Sequence, residues 1–202
     1  MDKLELILAH QRQLSACSQC SEMTQPVIIG QAVASDILLV GQAPGDKEGE
    51  FGHPFAWTAG KTLFKWFDSI GVSEQKFREQ VYMSAVCRCF PGKNPKGGDR
   101  VPSKSEIETC SQWINKEIEL LQPKLIIPVG KLAISQYLEV KKLVDVIGQQ
   151  FKQRVNGCYV DIIPLPHPSG ASTWHHMSPG KELLAQALNL LLQHKSWKTL
   201  SE

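Results

Sequence analysis

Four short runs of consecutive apolar residues, each emptying into a loop that carries glycine or proline, constrain the fold of this chain more than any other feature. They are Asp36-Ile37-Leu38-Leu39-Val40, Val81 to Val86, Lys124 to Gly130 and Tyr159 to Leu165. Runs this short, with little polar alternation, read as strands buried on both faces of a sheet. The segments between and around them carry helical spacing instead. Leu4, Ile7, Leu8 and Leu14 give a first helix over 2–14, and Leu63, Phe64, Trp66, Phe67 and Ile70 give another over 59–70 that stops at Gly71. Ser103 and Glu106 form a capping box, and Ser178-Pro179 opens a last helix striped by Leu183, Leu184, Ala187, Leu188, Leu191 and Leu192. Asn156-Gly157 marks a hairpin-like pair leading into the fourth run. This alternation predicts an α/β fold, a mostly parallel central sheet with helices on both faces.

At 202 residues the chain is expected to form a single domain over 1–202 with a substantial core. No apolar run approaches the roughly 20 residues that a membrane helix needs. The start carries Asp2 and Glu5 and lacks the ordered features of a signal peptide, so a cytoplasmic protein is expected. In that reducing compartment, clustered cysteines point to metal binding or catalysis rather than disulfides. A net charge of +2 is too small to mark a nucleic-acid partner by itself. Its distribution is more telling: Arg88, Lys93, Lys96, Arg100 and Lys104 face a single acid, Asp99, in a segment suited to tracking a phosphate backbone.

In a parallel sheet, ligands sit beyond the carboxyl ends of the strands. The unusual residues gather there: Gly41-Gln42-Ala43-Pro44-Gly45 after the first run, 87–102 after the second, and His167-Pro168-Ser169-Gly170 after the last. Gly41 and Gly45 permit a tight turn and close backbone approach to a ligand. The loop lacks the Gly-Lys-Ser/Thr ending of a nucleotide-binding P-loop. Phe55 offers a ring that can stack on a planar heterocycle, and His167, held between two prolines, can donate a hydrogen bond to a developing oxyanion. His175 and His176 read as exposed loop residues, with His175 suited to a phosphate contact. Cys17-x-x-Cys20 and the distant Cys89 and Cys110 can converge on tetrahedral zinc or an iron–sulphur cluster, with Cys87 competing with Cys89 as a ligand. Cys158 reads as a buried core thiol.

In this order, the loops resemble the uracil-DNA glycosylase superfamily, most closely its iron–sulphur branch, the fourth family. The family's first motif, Gly-Glu-Ala-Pro-Gly, is matched by Gly41 to Gly45 with Gln42 in place of the glutamate. Gly52-His53-Pro54-Phe55 with Ala59-Gly60 is similar to the segment that places the base-stacking aromatic. Val86 to Pro91 resembles the third-cysteine segment and selects Cys89, and His167-Pro168-Ser169 resembles the second catalytic motif. The resemblance implies a three-layer α/β/α sandwich around a four-stranded, mostly parallel sheet. It also implies a [4Fe-4S] cluster on Cys17, Cys20, Cys89 and Cys110, and a monomeric, monofunctional hydrolase of base excision repair acting on DNA that contains uracil or another deaminated base. Gln42 and His167 would be catalytic, with Asp46 able to take the place of the missing carboxylate. Gly41, Ala43, Pro44, Gly45, Phe55, Ala85 and Ser169 would contact the base, Ala85 standing where the family has a uracil-reading asparagine. The two departures motivate a competing reading, a non-catalytic iron–sulphur DNA-binding or damage-sensing protein of the same fold. A zinc-stabilised nucleotide-binding protein is a third.

Overall fold

The computed structural model describes residues 2–170 and 172–201; Met1, Ala171 and Glu202 lie outside the described residues. The apolar runs form the strands β1 (Ile37–Gly41), β2 (Tyr82–Ala85), β3 (Leu125–Pro128) and β5 (Cys158–Ile162), with β4 (Phe151–Val155) added before the last. The sheet order is β2-β1-β3-β5-β4. β2, β1, β3 and β5 run parallel, in register Leu38–Tyr82, Leu38–Ile126 and Leu125–Asp161. The sheet therefore has five strands rather than four. The extra one is the outer arm of the Asn156-Gly157 hairpin, antiparallel to β5 and pairing Val155 with Cys158. Its alternating burial is that of an edge strand with one face in solvent, which hid it among the continuously apolar runs. Cys158 sits on this hairpin half-buried, not in the core as expected.

The helices are α1 (Lys3–Ser15), α2 (Glu48–Phe51), α3 (Thr58–Asp68), α4 (Glu74–Gln80), α5 (Lys104–Leu121), α6 (Lys131–Ile134), α7 (Gly180–Gln193) and α8 (Lys195–Ser201). The chain steps from β1 to β2 in one direction and from β2 back past β1 to β3 in the other. Right-handed crossovers then put α3 and α4 on one face and α5 on the opposite one. Accordingly α1 packs on α5, while α4 packs with both α3 and α8. Phe64, Phe67, Phe77 and Trp197 interlock at that second face, Phe67 stacking on Phe77 at 4.5 Å. On the first face the fully buried Glu117 of α5 accepts hydrogen bonds from the Tyr82 hydroxyl and Ser84 Oγ, both at 2.8 Å, and from the buried Arg88. Burial pushes the Glu117 carboxyl up, but Arg88, His10, Ser84 and Tyr82 together bring it below its ordinary value. The capping box of α5 is present: Glu106 N–H donates to Ser103 Oγ and Ser103 N–H donates to Glu106. Among the described residues no helix is long and apolar enough to cross a membrane.

Candidate active site

The carboxyl ends of β1, β2 and β5 open into a cleft of about 600 Å³. All ten rim residues singled out from the sequence line it: Gly41, Gln42, Ala43, Pro44, Gly45, Asp46, Phe55, Ala85, His167 and Ser169. The first loop is fixed by continuing the β1–β2 ladder, Val86 N–H donating to the Gly41 carbonyl and Cys87 N–H to the Gln42 carbonyl.

Phe55 holds its backbone at φ 53°, a left-handed conformation unfavourable for a bulky residue. Two features keep it there. Arg78, on α4, donates from its guanidinium to the carbonyls of Pro54 at 2.9 Å and Phe55 at 3.0 Å. Gly60 allows the approach: a Cβ there would lie 1.7 Å from the Phe55 carbonyl oxygen. The ring is thereby laid on Gly41, where a Cβ would meet its edge at 3.1 Å, and forms part of the cleft wall. Arg78 was not legible as a functional residue, because its role exists only once α4 lies beside the 54–55 turn.

His167 sits over Gly130, whose φ of 85° and missing side chain leave room for the ring; a Cβ there would meet His167 Cδ2 at 3.0 Å. Ser169 N–H donates to His167 Nδ1 at 3.2 Å. A backbone amide can only donate, so Nδ1 must accept and the proton of the neutral ring resides on Nε2. Burial lowers the His167 pKa, with His175 adding to the effect and Asp99 opposing it. The cleft therefore contains a neutral imidazole with a fixed tautomer. His175 is itself buried, against the expectation of an exposed loop residue, with its ring 5.1 Å from Trp66. That burial counts against the phosphate contact expected of it.

The carboxylates lining the cleft are already engaged. Asp46 and Asp99 both bind Lys93 Nζ at 2.8 Å, and the hydrogen bond from Lys93 is the main cause that holds Asp46 below its ordinary pKa. A carboxylate so held is a poor base, which counts against Asp46 as the replacement for the family's glutamate. Glu48, passed over in the sequence, accepts from Gly45 N–H at 2.7 Å and Ala56 N–H at 3.2 Å and so ties the first loop to the Phe55 turn. Burial raises its pKa despite these bonds. Gln42 also lines the cleft, and its side-chain amide has no hydrogen-bonding protein partner among the described residues.

The family pattern described as the uracil DNA glycosylase superfamily matches residues 28–192, which include every loop of this cleft. The chain belongs to the uracil DNA glycosylase superfamily. Among its relatives is a type-4 uracil-DNA glycosylase of Pyrobaculum aerophilum, 31% identical over 138 residues that make up 66% of each chain. Another, from Sulfurisphaera tokodaii and also named a type-4 uracil-DNA glycosylase, is 28% identical over 180 residues, 85% of this chain and 76% of that one. The crystal structure of Pedobacter heparinus SMUG2 shares the fold at a TM-score of 0.53 and 15% identity, covering 99% of this chain and 98% of that one.

A second cavity of this superfamily member is lined by Cys17, Cys20, Cys89 and Cys110 together with Leu14, Met23 and Trp113. The structure brings these thiols together by pinning the 17–28 segment to the loop that follows β2. Thr24 and Phe90 exchange backbone hydrogen bonds at 2.7 and 3.1 Å, and Ile28 N–H donates to the Arg88 carbonyl at 2.7 Å. Cys89 is on the cavity wall, whereas Cys87 is fully buried and does not line the cavity. The neighbouring Cys87 thiol is the main reason the Cys110 pKa is drawn down to about 7. All these cysteines are free thiols. Among the described residues no three His, Cys, Asp or Glu side chains are close enough to hold one metal ion. Four free thiols lining one largely apolar cavity are a donor set of the kind that an iron–sulphur cluster takes.

The basic segment is much less free than its composition implied. Arg88 is buried on Glu117, Lys93 bridges two aspartates, Arg100 binds Glu106 and Lys104 approaches Glu108. Arg88 and Arg100 are thus taken up by internal carboxylates, whereas Lys93 and Lys104 stay exposed in weaker surface pairs. Lys96 alone among these five has no carboxylate partner among the described residues.

Proposed function

We propose that this protein is a monofunctional DNA glycosylase that hydrolyses the N-glycosidic bond of uracil, or of another deaminated base, in DNA. The observation that carries the reading is one cleft holding the Phe55 ring, the Gln42 amide and the forced Nε2–H of His167. A base must leave the helix stack to reach such a cleft. Phe55 would stack on its face, and Ala85 would leave one edge of the pocket without a side-chain reader. As the bond from C1′ to the base nitrogen breaks, its electron pair leaves with the base. His167 Nε2–H would donate to the carbonyl oxygen where that negative charge collects, the neutral ring acting as a donor rather than an acid. Water adds to the cationic C1′ with its proton passing to solvent, its approach directed by the Gln42 amide oxygen. With each carboxylate of the cleft engaged, a route in which the base departs ahead of water attack suits the site best.

Cys17, Cys20, Cys89 and Cys110 would hold a [4Fe-4S] cluster. When bound it supplies a cross-link between the 17–28 segment, the loop after β2 and α5. The reading takes the chain as one domain, a monomer acting in the cytoplasm on DNA.

The test is a panel of oligonucleotides containing uracil, hypoxanthine or xanthine, incubated with the protein and treated with alkali to cut abasic sites. Scission on at least one is expected, falling about a hundredfold or more in His167→Ala, the scale of losing one oxyanion donor. The engaged carboxylates favour one alternative, a damage-binding protein without activity. Retention of these oligonucleotides with no scission on any of them would establish it.

A further inference from the structure

At the mouth of the cleft, Phe51 closes α2 and Trp57 precedes α3, and their rings stack at 5.6 Å with 22° between planes. Both remain in solvent, at 46% and 44% exposure, although aromatic rings at a surface usually find cover. Trp57 also lines the cleft, so the stack is continuous with the site in which Phe55 would hold the extruded base. Lys61 Nζ lies 5.5 Å from the Trp57 ring and forms no ion pair among the described residues. The carbonyl clamp on Pro54 and Phe55 fixes the turn from which Trp57 projects.

We propose that Phe51 and Trp57 form a stacking ledge for an unpaired nucleobase next to the one drawn into the cleft, with Lys61 meeting the phosphate between them. This rests on the glycosylase reading and goes beyond it by naming a contact with a flanking nucleotide. The occupant follows from chemistry and place. Every base presents a π-face to a flat aromatic stack, the free cation matches a phosphate, and a strand with one base in the cleft must pass its neighbours across the rim. A flanking base can stack there only when released from its partner, so the ledge favours single-stranded or locally opened DNA.

The experiment measures binding of single-stranded oligonucleotides that carry a tetrahydrofuran abasic analogue at the target position, with the 5′ or the 3′ flanking base present or removed. Trp57→Ala is expected to weaken binding about tenfold while Trp57→Phe keeps most of the affinity. Removing the flanking base on one side should weaken the unsubstituted protein by a similar factor and leave Trp57→Ala unaffected. Lys61→Ala should reduce the salt dependence of binding. Equal losses from flank removal in both proteins, on both sides, would overturn the ledge, as would Trp57→Ala binding within twofold of the unsubstituted protein. Melting curves of both Trp57 variants should match the parent; if Trp57→Ala unfolds, Phe51→Ala replaces it in the flank-removal comparison, with loss of the flanking-base effect expected and equal losses in both proteins overturning the ledge. Base release on the oligonucleotide panel is scored separately. Scission without coupling at Trp57 defeats the ledge alone, and coupling without scission defeats the glycosylase reading alone.

Discussion

Replacing Arg78 by alanine should release Phe55 from the geometry that makes it a base-stacking surface. Arg78 donates to two carbonyls at 2.9 and 3.0 Å, and its guanidinium lies 4.5 Å from the Phe64 ring. A hydrogen bond from a charged group contributes about 1.5–3 kcal/mol. The lower end applies here, because the turn borders an open cleft and water can replace part of what is lost. Two such bonds amount to about 3 kcal/mol, set against roughly 1–2 kcal/mol for holding a non-glycine residue at positive φ. The clamp wins narrowly, so its removal should let the Phe55 backbone relax and carry the ring off Gly41. The surface pair with Glu74, an i,i+4 contact at 2.9 Å, adds only a few tenths of a kcal/mol. With that strain released, the net loss is about 1–2 kcal/mol, which lowers the melting temperature by roughly 2–8 °C in a domain of this size. Circular-dichroism melts and base-release kinetics, each in the parent and in a Phe55→Ala background, separate stability from positioning. Arg78→Ala should lower kcat/KM strongly in the parent and hardly at all where Phe55 is already gone. Arg78→Lys should recover stability better than activity, because a single ammonium cannot fork to two carbonyls. Equal activity losses in both backgrounds would refute the claim that Arg78 acts through Phe55.

Gly60→Ala should disturb the same turn from the other side, since the added methyl would sit 1.7 Å from the Phe55 carbonyl oxygen; a loss of about 1–3 kcal/mol by denaturant titration and impaired base release are expected. The Glu106 carboxyl is pulled down to about 2, chiefly by its bond to Arg100. A folded-state pKa below the unfolded one stabilises the fold above about pH 4.5 and is lost as pH falls toward 2. Comparing acid unfolding of Glu106→Gln with the parent should show that difference, roughly 1–2 kcal/mol at pH 7 after allowing for solvent screening of the guanidinium. Cys110→Ser should abolish iron and acid-labile sulphide in the purified protein, whereas Cys87→Ser should retain them. Stoichiometric zinc without iron in the parent would refute the cluster.

Much of the architecture was legible because strand burial and helical periodicity are local patterns. The runs at 36–40, 81–86 and 124–130 became neighbouring parallel strands, and the Ser103–Glu106 cap formed as written. β4 was less legible, because an edge strand alternates in burial and its apolar content is diluted by Lys152 and Arg154. Charge was the least legible property. The sequence counts Arg88, Lys93 and Arg100 as free cations, but whether a cation is free depends on which carboxylate the fold brings within reach.

The sequence by itself determined the strand order in the chain, the loops at one rim and the residue types available for chemistry there. Four thiols, two glycines around a short loop, an aromatic and a histidine between prolines are covalent facts independent of folding. Only the tertiary structure decided what those groups can do. It tied Asp46 to Lys93, placed Cys89 on the cavity wall and buried Cys87 away from the lining, and set Arg78 under the Phe55 turn. It also fixed the His167 proton on Nε2 by pointing the Ser169 amide at Nδ1. The physical reason is distance: ion pairing, hydrogen bonding and burial act over a few ångströms of space, and separation along the chain does not specify them.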